Sequence, residues 1–405
     1  MIIFSVAVVG ILFLLILLIL KNYISQNLFF LMQIGVLLFI VYSLGAVPCN
    51  LLRAKRNVTQ YSIFSIWNSV AGLTIGITII LFFHIGIEGL LWGNIISSLI
   101  SAPLSWRISL GMPSFKDGYI FSHMSWEIAK YGIPTIIINV LSWAQSLSDR
   151  YILGFFRGSI EVGIYSPNYT IAESGMFLIT SLFLMSSTPI GFDIWENKGV
   201  EESKEFMNKV TRYYLIIALP AAMGLSILAK TITYILVAPQ YYAGYIIIPL
   251  VAFGAFFVGL AHRFTTGLAY HKRTGLLMFC YLGSIILNAF LNLIFIPKYG
   301  YMAAAFSTFI AYLSLLFFSA FVSRFFFIWK FPFKSLVKCF LASIIMGGGV
   351  YFLINSLHFN NFINLLLAII FGVAVYFILI ILFKEITLEE KMVIKIFVKK
   401  VFNNN

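Results

Sequence analysis

Twelve windows of mostly apolar residues recur along the chain, at 2–20, 28–47, 61–83, 87–106, 130–153, 164–192, 212–237, 243–262, 274–297, 301–323, 335–356 and 362–383. A run of roughly 18 or more such residues crosses the ~30 Å hydrocarbon core of a bilayer as an α-helix. Only helices and closed barrels satisfy their own backbone hydrogen bonds in lipid, so the chain reads as an all-α, polytopic membrane protein of about 12 transmembrane helices. Composition agrees, because 61% of the 405 residues are hydrophobic and only 10% charged, against about 45–50% apolar in soluble domains.

Basic residues give an independent check on that count, since short translocated loops exclude them. If the windows alternate direction, all but five of the 27 Lys and Arg fall on one side; the exceptions are Lys21, Arg150, Arg157, Lys230 and Lys298. Both termini are therefore expected in the cytoplasm, with the protein a multi-pass component of the cytoplasmic (inner) membrane. The net charge of +13 is spread over short loops instead of forming a patch, which argues against nucleic acid as a partner. Cys49, Cys280 and Cys339 are far apart, and His84, His123, His262, His271 and His358 lie near predicted loops without ligand spacing, so neither a disulfide framework nor a metal site is expected. The first window lacks the basic flank and cleavage pattern of a signal peptide and reads as a retained helix.

Connections are short, the longest at about 107–129 and 193–211, which leaves no room for a soluble domain between helices. The second carries Asp193, Glu196, Glu201, Glu202 and Glu205 among lysines and is expected to be a solvated amphipathic linker. Two helix pairs, one opened by Lys55-Arg56 and the other by Lys272-Arg273, form a weak internal repeat of the kind secondary transporters use. At the C-terminus, Thr387-Leu388-Glu389-Glu390 resembles a capping box, and Lys391, Lys395 and Lys399 follow among apolar residues, as in a basic helix lying on anionic lipid.

Charge inside an apolar helix is the strongest functional signal, since it costs about 2.5–3.5 kcal/mol on insertion scales. Asp149 and Arg150 end the fifth window, and Asn139, Ser142 and Ser146 precede them, with Thr135, on one stripe of that helix. Tyr169, Glu173, Thr180 and Ser187 form a sparser stripe on the next helix, with Glu173 roughly 14 Å into the membrane. Arg150, Asp149, Glu173, Asn139, Ser142, Ser146, Tyr169 and Thr180 are the candidate substrate-cavity residues. The neutral members serve equally as hydrogen-bonding contacts between helices. Arg150 and Glu173 are expected as separate rungs of a ladder, not as an ion pair. Pro134, Pro189, Pro220 and Pro249 interrupt helices, as in bending transporter helices or as ordinary tolerated prolines. Asn168-Tyr169-Thr170 is a glycosylation triplet only in form, at or inside a helix start.

The run Tyr131-Gly132-Ile133-Pro134, then Ser148 to Gly154, then Glu161-Val162-Gly163-Ile164-Tyr165-Ser166 closely resembles the Wzx-type polysaccharide flippases of the multidrug/oligosaccharidyl-lipid/polysaccharide exporter superfamily. Ala218-Leu219-Pro220 and Ile296-Pro297-Lys298-Tyr299-Gly300 are similar to it as well. The resemblance implies a MATE-like pair of helical lobes. It also implies a carrier that moves undecaprenyl-pyrophosphate-linked oligosaccharide between leaflets by alternating access, for O-antigen, lipopolysaccharide or related surface glycans. Arg150 would face the pyrophosphate, Asp149 and Glu173 would serve H+ or Na+ coupling, and no other cofactor is implied. Partners would be the lipid-linked oligosaccharide, membrane lipids and polysaccharide-assembly proteins. The signature helix opens the second lobe as the seventh in the family but is the fifth here. The expected division is therefore an incomplete four-helix first lobe at 1–129, a six-helix second lobe at 130–324, two additional helices at 325–384 and a basic tail at 385–405.

Two readings compete. A MATE-type cation or drug antiporter would share the fold. A membrane-embedded polymerase, ligase or glycosyltransferase fits less well, because Asp117, Asp149 and Asp193 are isolated and the outer loops are short. No catalytic residue is assigned, and the protein is expected not to be an enzyme.

Overall fold

A computed structural model describes residues 2–55, 57–110, 123–356, 359–385 and 390. The described residues are helical apart from short connections, with no strand among them. Two compact units emerge, Met1–Met124 and Ser125–Asn405. The first holds α1 (Ile2–Leu20), α2 (Gln26–Ala54), α3 (Val58–Phe83) and α4 (Glu88–Leu110). The second is built from α5 (His123–Arg157), α6 (Ser159–Asn197), α7 (Val200–Ile227), α8 (Ala229–Leu236), a 3-10 segment (Pro239–Ile247), α9 (Ile248–Tyr270), α10 (Thr274–Ser323), α11 (Phe333–Ser356) and α12 (Asn361–Leu382). Among the described residues, eight helices are long and apolar enough to cross a membrane. Large apolar side chains such as Phe82 and Phe155, 78% and 83% exposed, cover the outside as lipid contact requires.

Each apolar window lies on a helix, with three departures. The windows at 274–297 and 301–323 belong to one 50-residue helix, α10. At 1.5 Å per residue such a helix runs ~75 Å, more than twice the membrane core. It folds back at Gly300, whose φ of 59° and ψ of −141° lie where a Cβ is not tolerated. The window at 212–237 is divided by a break at Leu228 between α7 and α8. The expected linker at 193–211 is helix almost throughout, because α6 runs to Asn197 and α7 starts at Val200. Its acids Glu201, Glu202 and Glu205 are exposed while Ser203 and Met207 are buried, so the amphipathic pattern stands on a helix instead of a loop. The middle of the other long connection, 111–122, lies outside the described residues, as do Arg56, His358, Thr387 to Glu389 and Lys391, Lys395 and Lys399.

Lipid is as apolar as leucine, so helices in it associate through close packing and polar contacts. In the first unit α3 and α4 meet through Gly72 and Gly76 on one side and Gly89 and Gly93 on the other, two G-x-x-x-G spacings face to face. A methyl group on Gly93 would collide with the Gly76 backbone. In the second unit Tyr165, Ala172 and Met176 of α6 pack with Tyr214 and Ala218 of α7 and Ile248 and Val251 of α9. The last two helices, expected as an addition to the lobe, pack on α7. Cys339, Ala342 and Met346 of α11 meet Ala368 and Tyr376 of α12, and the Tyr376 hydroxyl donates to the Ile216 carbonyl of α7 at 2.9 Å.

A charged clasp closes that contact where the chain leaves α12. Glu385, 5% exposed, accepts from Arg212 Nε at 2.9 Å and Lys338 Nζ at 3.1 Å, and also from the Ser335 hydroxyl. Arg212 reaches on to Glu390 through Nη1 at 2.8 Å and Nη2 at 3.0 Å. Burial alone would raise the Glu385 carboxyl, but Ser335, Arg212 and Lys338 outweigh it and hold it below its ordinary value.

Two predictions follow from these contacts. Gly93→Ala should separate α3 from α4 and cost about 1–3 kcal/mol, read as a lower thermal midpoint in detergent micelles. A carboxyl held low stabilises the fold above its unfolded value and loses that contribution as pH falls through the folded one. Wild type should therefore lose stability below its ordinary 4.5, and Glu385→Gln should flatten that part of the profile in the same thermal assay.

Candidate functional site

Asp149 is fully buried, and what surrounds it is helix, not open space. Its Oδ2 accepts from the Tyr165 hydroxyl of α6 at 2.9 Å and from the Thr308 hydroxyl of α10. Its Oδ1 accepts from Asn292 Nδ2 at 2.6 Å, and Asn292 donates to Asn288 Oδ1 at 3.1 Å. Ser148 Oγ also reaches Asn288 Oδ1, at 3.4 Å, and Gln145 Nε2 donates to Ser284 Oγ at 3.3 Å. Among the described residues no cationic side chain lies within ion-pair distance of the carboxylate, and the buried Asn292 Oδ1 has no partner. Removing an ion from water is costly unless donors replace the lost hydration, and here three neutral side chains do so.

A few turns along α5 the same face opens into a cavity of about 470 Å³ between α5, α6, α9 and α10. Of the sequence candidates it is lined by Asn139, Ser142, Ser146, Glu173 and Thr180. Ser142 and Ser146 return their hydroxyl protons to the carbonyls of Ile138 and Trp143, at 2.8 and 3.0 Å, as serines in apolar helices do. Glu173, half-buried, accepts from the Tyr169 hydroxyl at 3.2 Å.

Asp149, Arg150 and Tyr169 lie beside the cavity instead of lining it. Tyr169 is fully buried, its hydroxyl 3.3 Å from that of Tyr312. Arg150 turns away from Asp149, donates to Thr170 Oγ1 at 3.4 Å and places its guanidinium 5.5 Å from the centre of the Tyr169 ring. Tyr169 thus stands between Arg150 and Glu173, and the two charges form no ion pair. Asn168 is buried, bonded to the carbonyls of Ile164 and Tyr241 and to Thr233, which removes any prospect of glycosylation.

Sequence reading missed several groups. His262, Tyr281 and Tyr312 line the cavity. The apolar window at 243–262 stops at His262, which is expected near a loop, yet α9 continues to Tyr270. Arg263 is 1% exposed; Nη1 donates to Ser187 Oγ at 3.0 Å, the Tyr214 ring centre is 5.6 Å away, and Nε and Nη2 have no partner. Ser284, Asn288 and Asn292 carried a signal that went unread, a polar stripe at four-residue spacing in an apolar helix.

The run Glu161-Val162-Gly163-Ile164-Tyr165-Ser166 after the fifth window has a structural role. Glu161 Oε2 accepts from the Tyr301 backbone N–H at 3.0 Å, satisfying a donor freed by the bend at Gly300, while Oε1 takes Arg157 Nε at 2.8 Å.

Residues 1–246, from α1 into the segment before α9, match the family described as polysaccharide biosynthesis protein. The chain belongs to that family. It is 25% identical over 300 residues to the "Probable low-salt glycan biosynthesis flippase Agl15" of Haloferax volcanii, covering 70% of this chain and 59% of that one. It is 28% identical over 211 residues to the uncharacterized membrane protein MJ1068 of Methanocaldococcus jannaschii, covering 49% and 40%. The matches thus span less than two thirds of either relative's length. Among solved structures, lipid II flippase MurJ in an inward closed conformation superposes with a TM-score of 0.71 over 94% of this chain and 83% of that one, at 19% identity. An outward-facing multidrug resistance MATE transporter gives 0.67 over 80% and 77%, at 10% identity. The fold is that shared by both, a MATE-like helical membrane bundle.

Within this family member, Glu161→Ala should leave the Tyr301 N–H unsatisfied and cost about 1–3 kcal/mol. Arg157→Ala, which removes only a half-exposed partner, should cost less than ~1 kcal/mol. Thermal midpoints of the two variants in detergent check the difference.

Proposed function

We propose that the protein is a flippase that moves a lipid-linked oligosaccharide, of the undecaprenyl-pyrophosphate class, between membrane leaflets for surface polysaccharide assembly. The observation that carries this reading is a largely apolar cavity inside the helices of a polysaccharide biosynthesis protein, with polar groups on its α5 and α6 walls and one carboxylate, Glu173, among them. The name of the Haloferax relative, a glycan biosynthesis flippase, supports it. The protein is a transporter and not an enzyme, residing in the cytoplasmic membrane with both termini inside. Arg150 serves the pyrophosphate, since its planar fork suits phosphate oxygens and its Nε lacks a partner.

Asp149 holds the coupling ion, H+ or Na+. The residues present fit such an ion. One uncompensated carboxylate supplies a single negative charge, and Asn292 Oδ1, Asn288 Oδ1 and the Thr308 hydroxyl supply hard oxygen donors. A bound cation offsets the desolvated charge of Asp149 and so favours the packed arrangement of α5 against α10.

Two experiments test the proposal. Expression in a strain lacking its own flippase should restore surface glycan, and Arg150→Ala or Glu173→Ala should abolish rescue at unchanged protein levels. Efflux of cationic dyes without any rescue would favour the drug-antiporter reading instead. In proteoliposomes, glycolipid transport should be driven by an imposed Na+ or pH gradient and lose that dependence in Asp149→Asn; indifference to both gradients in wild type would refute ion coupling.

A further inference from the structure

The first unit contains a second polar surface that the sequence reading did not assign. A groove of about 330 Å³ runs among α2, α3 and α4, lined in part by Asn50, Asn68 and Asn94 with Tyr61, Ser65 and Ser98. Its volume is at the lower end of small-ligand pockets, which run from about 300 to 1,000 Å³. No Asp, Glu, Lys, Arg or His is among its lining residues. Asn50 and Ser65 are exposed, and Asn68 is half-exposed. Asn68 Oδ1 takes the Ser101 hydroxyl at 2.7 Å, while its Nδ2 and the Asn50 amide have no protein partner among the described residues.

Amides turned toward hydrocarbon would each forfeit hydrogen bonds worth several kcal/mol, so this face meets water or a polar ligand and not lipid tails. The chemistry of the lining narrows the ligand. With no fixed charge, the groove cannot compensate a phosphate, a carboxylate or a desolvated cation. Amides and hydroxyls instead present donors and acceptors in nearly equal number, the complement of a pyranose, whose every hydroxyl both donates and accepts. Tyr42 and Tyr61, also at the groove, offer flat apolar faces of the kind that cover the C–H side of a sugar ring.

We propose that this groove is a binding site for uncharged sugar residues, the part of the translocated glycan that carries no phosphate. The proposal rests on the flippase reading and adds a selectivity to it. Neutral hexoses and N-acetylhexosamines are accepted, whereas a uronic acid, desolvated here without a cation, is refused.

The test uses the full chain in lipid nanodiscs and isothermal titration calorimetry. The probes are neutral trisaccharides of glucose, galactose, mannose and N-acetylglucosamine, a trigalacturonate of the same length, and undecaprenyl pyrophosphate without sugar. At least one neutral trisaccharide should bind wild type about tenfold more tightly than trigalacturonate, and Asn50→Ala and Asn68→Ala should each weaken it by about tenfold, the worth of one good hydrogen bond. Asn50 is exposed, so its truncation leaves the fold intact, and an unchanged thermal midpoint verifies this. Failure of all four neutral probes to bind wild type, equal binding of trigalacturonate, or unchanged affinity in both variants would overturn the proposal. Undecaprenyl pyrophosphate should bind wild type and both variants alike; its failure to bind wild type, with the sugar results as expected, would remove the flippase reading and leave the sugar site standing.

Discussion

One carboxylate without a cation organises the second unit. Asp149 is completely buried, and the donors that replace its hydration come from α6 and from both arms of α10. Each donor must be aimed, because an unpaired buried charge is among the costliest defects a fold can carry. Satisfying Asp149 therefore fixes the rotation of α5. Ser142, Gln145 and Ser146 lie seven, four and three residues before it and share its broad face. That face is packed against α10 at one end and open at the other, and the opening is the cavity.

The bend in α10 follows from the same requirement. Asn292 and Thr308 sit eight residues before and eight after Gly300, about 12 Å along each arm. Only a chain that folds back at Gly300 brings both to one carboxylate. Glycine permits the backbone angles, and Glu161 takes up the Tyr301 N–H that the bend releases. Asp149 and Glu161, twelve residues apart in one sequence motif, thus tie down the two ends of the same turn of chain. This accounts for the run from Ser148 to Tyr165 in structural terms, before any transport role is invoked.

Lipid-facing residues made most of the helices legible, because a hydrocarbon solvent leaves a simple mark on sequence. Legibility failed wherever protein, not lipid, was the neighbour. The apolar window at 243–262 stopped before Arg263 only because hydropathy penalises a charge that α9 buries against Tyr214 and Ser187. The acids from Asp193 to Glu205 read as loop because a helix emerging into water loses its apolar run without losing its hydrogen bonds. For the site, the stripe on α5 was visible from spacing alone, and three of its candidates meet two of those on α6 at one cavity. That Asp149 would face α10 was not visible, since its partners Asn292 and Thr308 are more than 140 residues away and the pairing exists only in the fold. The polar lining of the first unit was dispersed over three helices, each with too few polar residues to stand out.

Ion binding at Asp149 does work on a substrate only if the two have different affinities for the same conformations. The structure offers a short physical route for that. Gln145 belongs to both places, lining the cavity and bonding to Ser284 of α10. Tyr165, which donates to Asp149, packs with its ring centre 5.2 Å from that of Tyr169, and the Tyr169 hydroxyl reaches Glu173 at the cavity wall and Tyr312 opposite. A cation on Asp149 would compete with Tyr165 and Thr308 for Oδ2 and with Asn292 for Oδ1. Any shift of Tyr165 must be taken up by Tyr169, because both are fully buried and close-packed interiors do not deform locally. The hydroxyl of Tyr169 would then change its hold on Glu173, and the Arg150 guanidinium, 5.5 Å from the centre of the same ring, would move with it. One buried acid and three aromatic rings are thus enough to make the electrostatics of the cavity depend on what Asp149 holds.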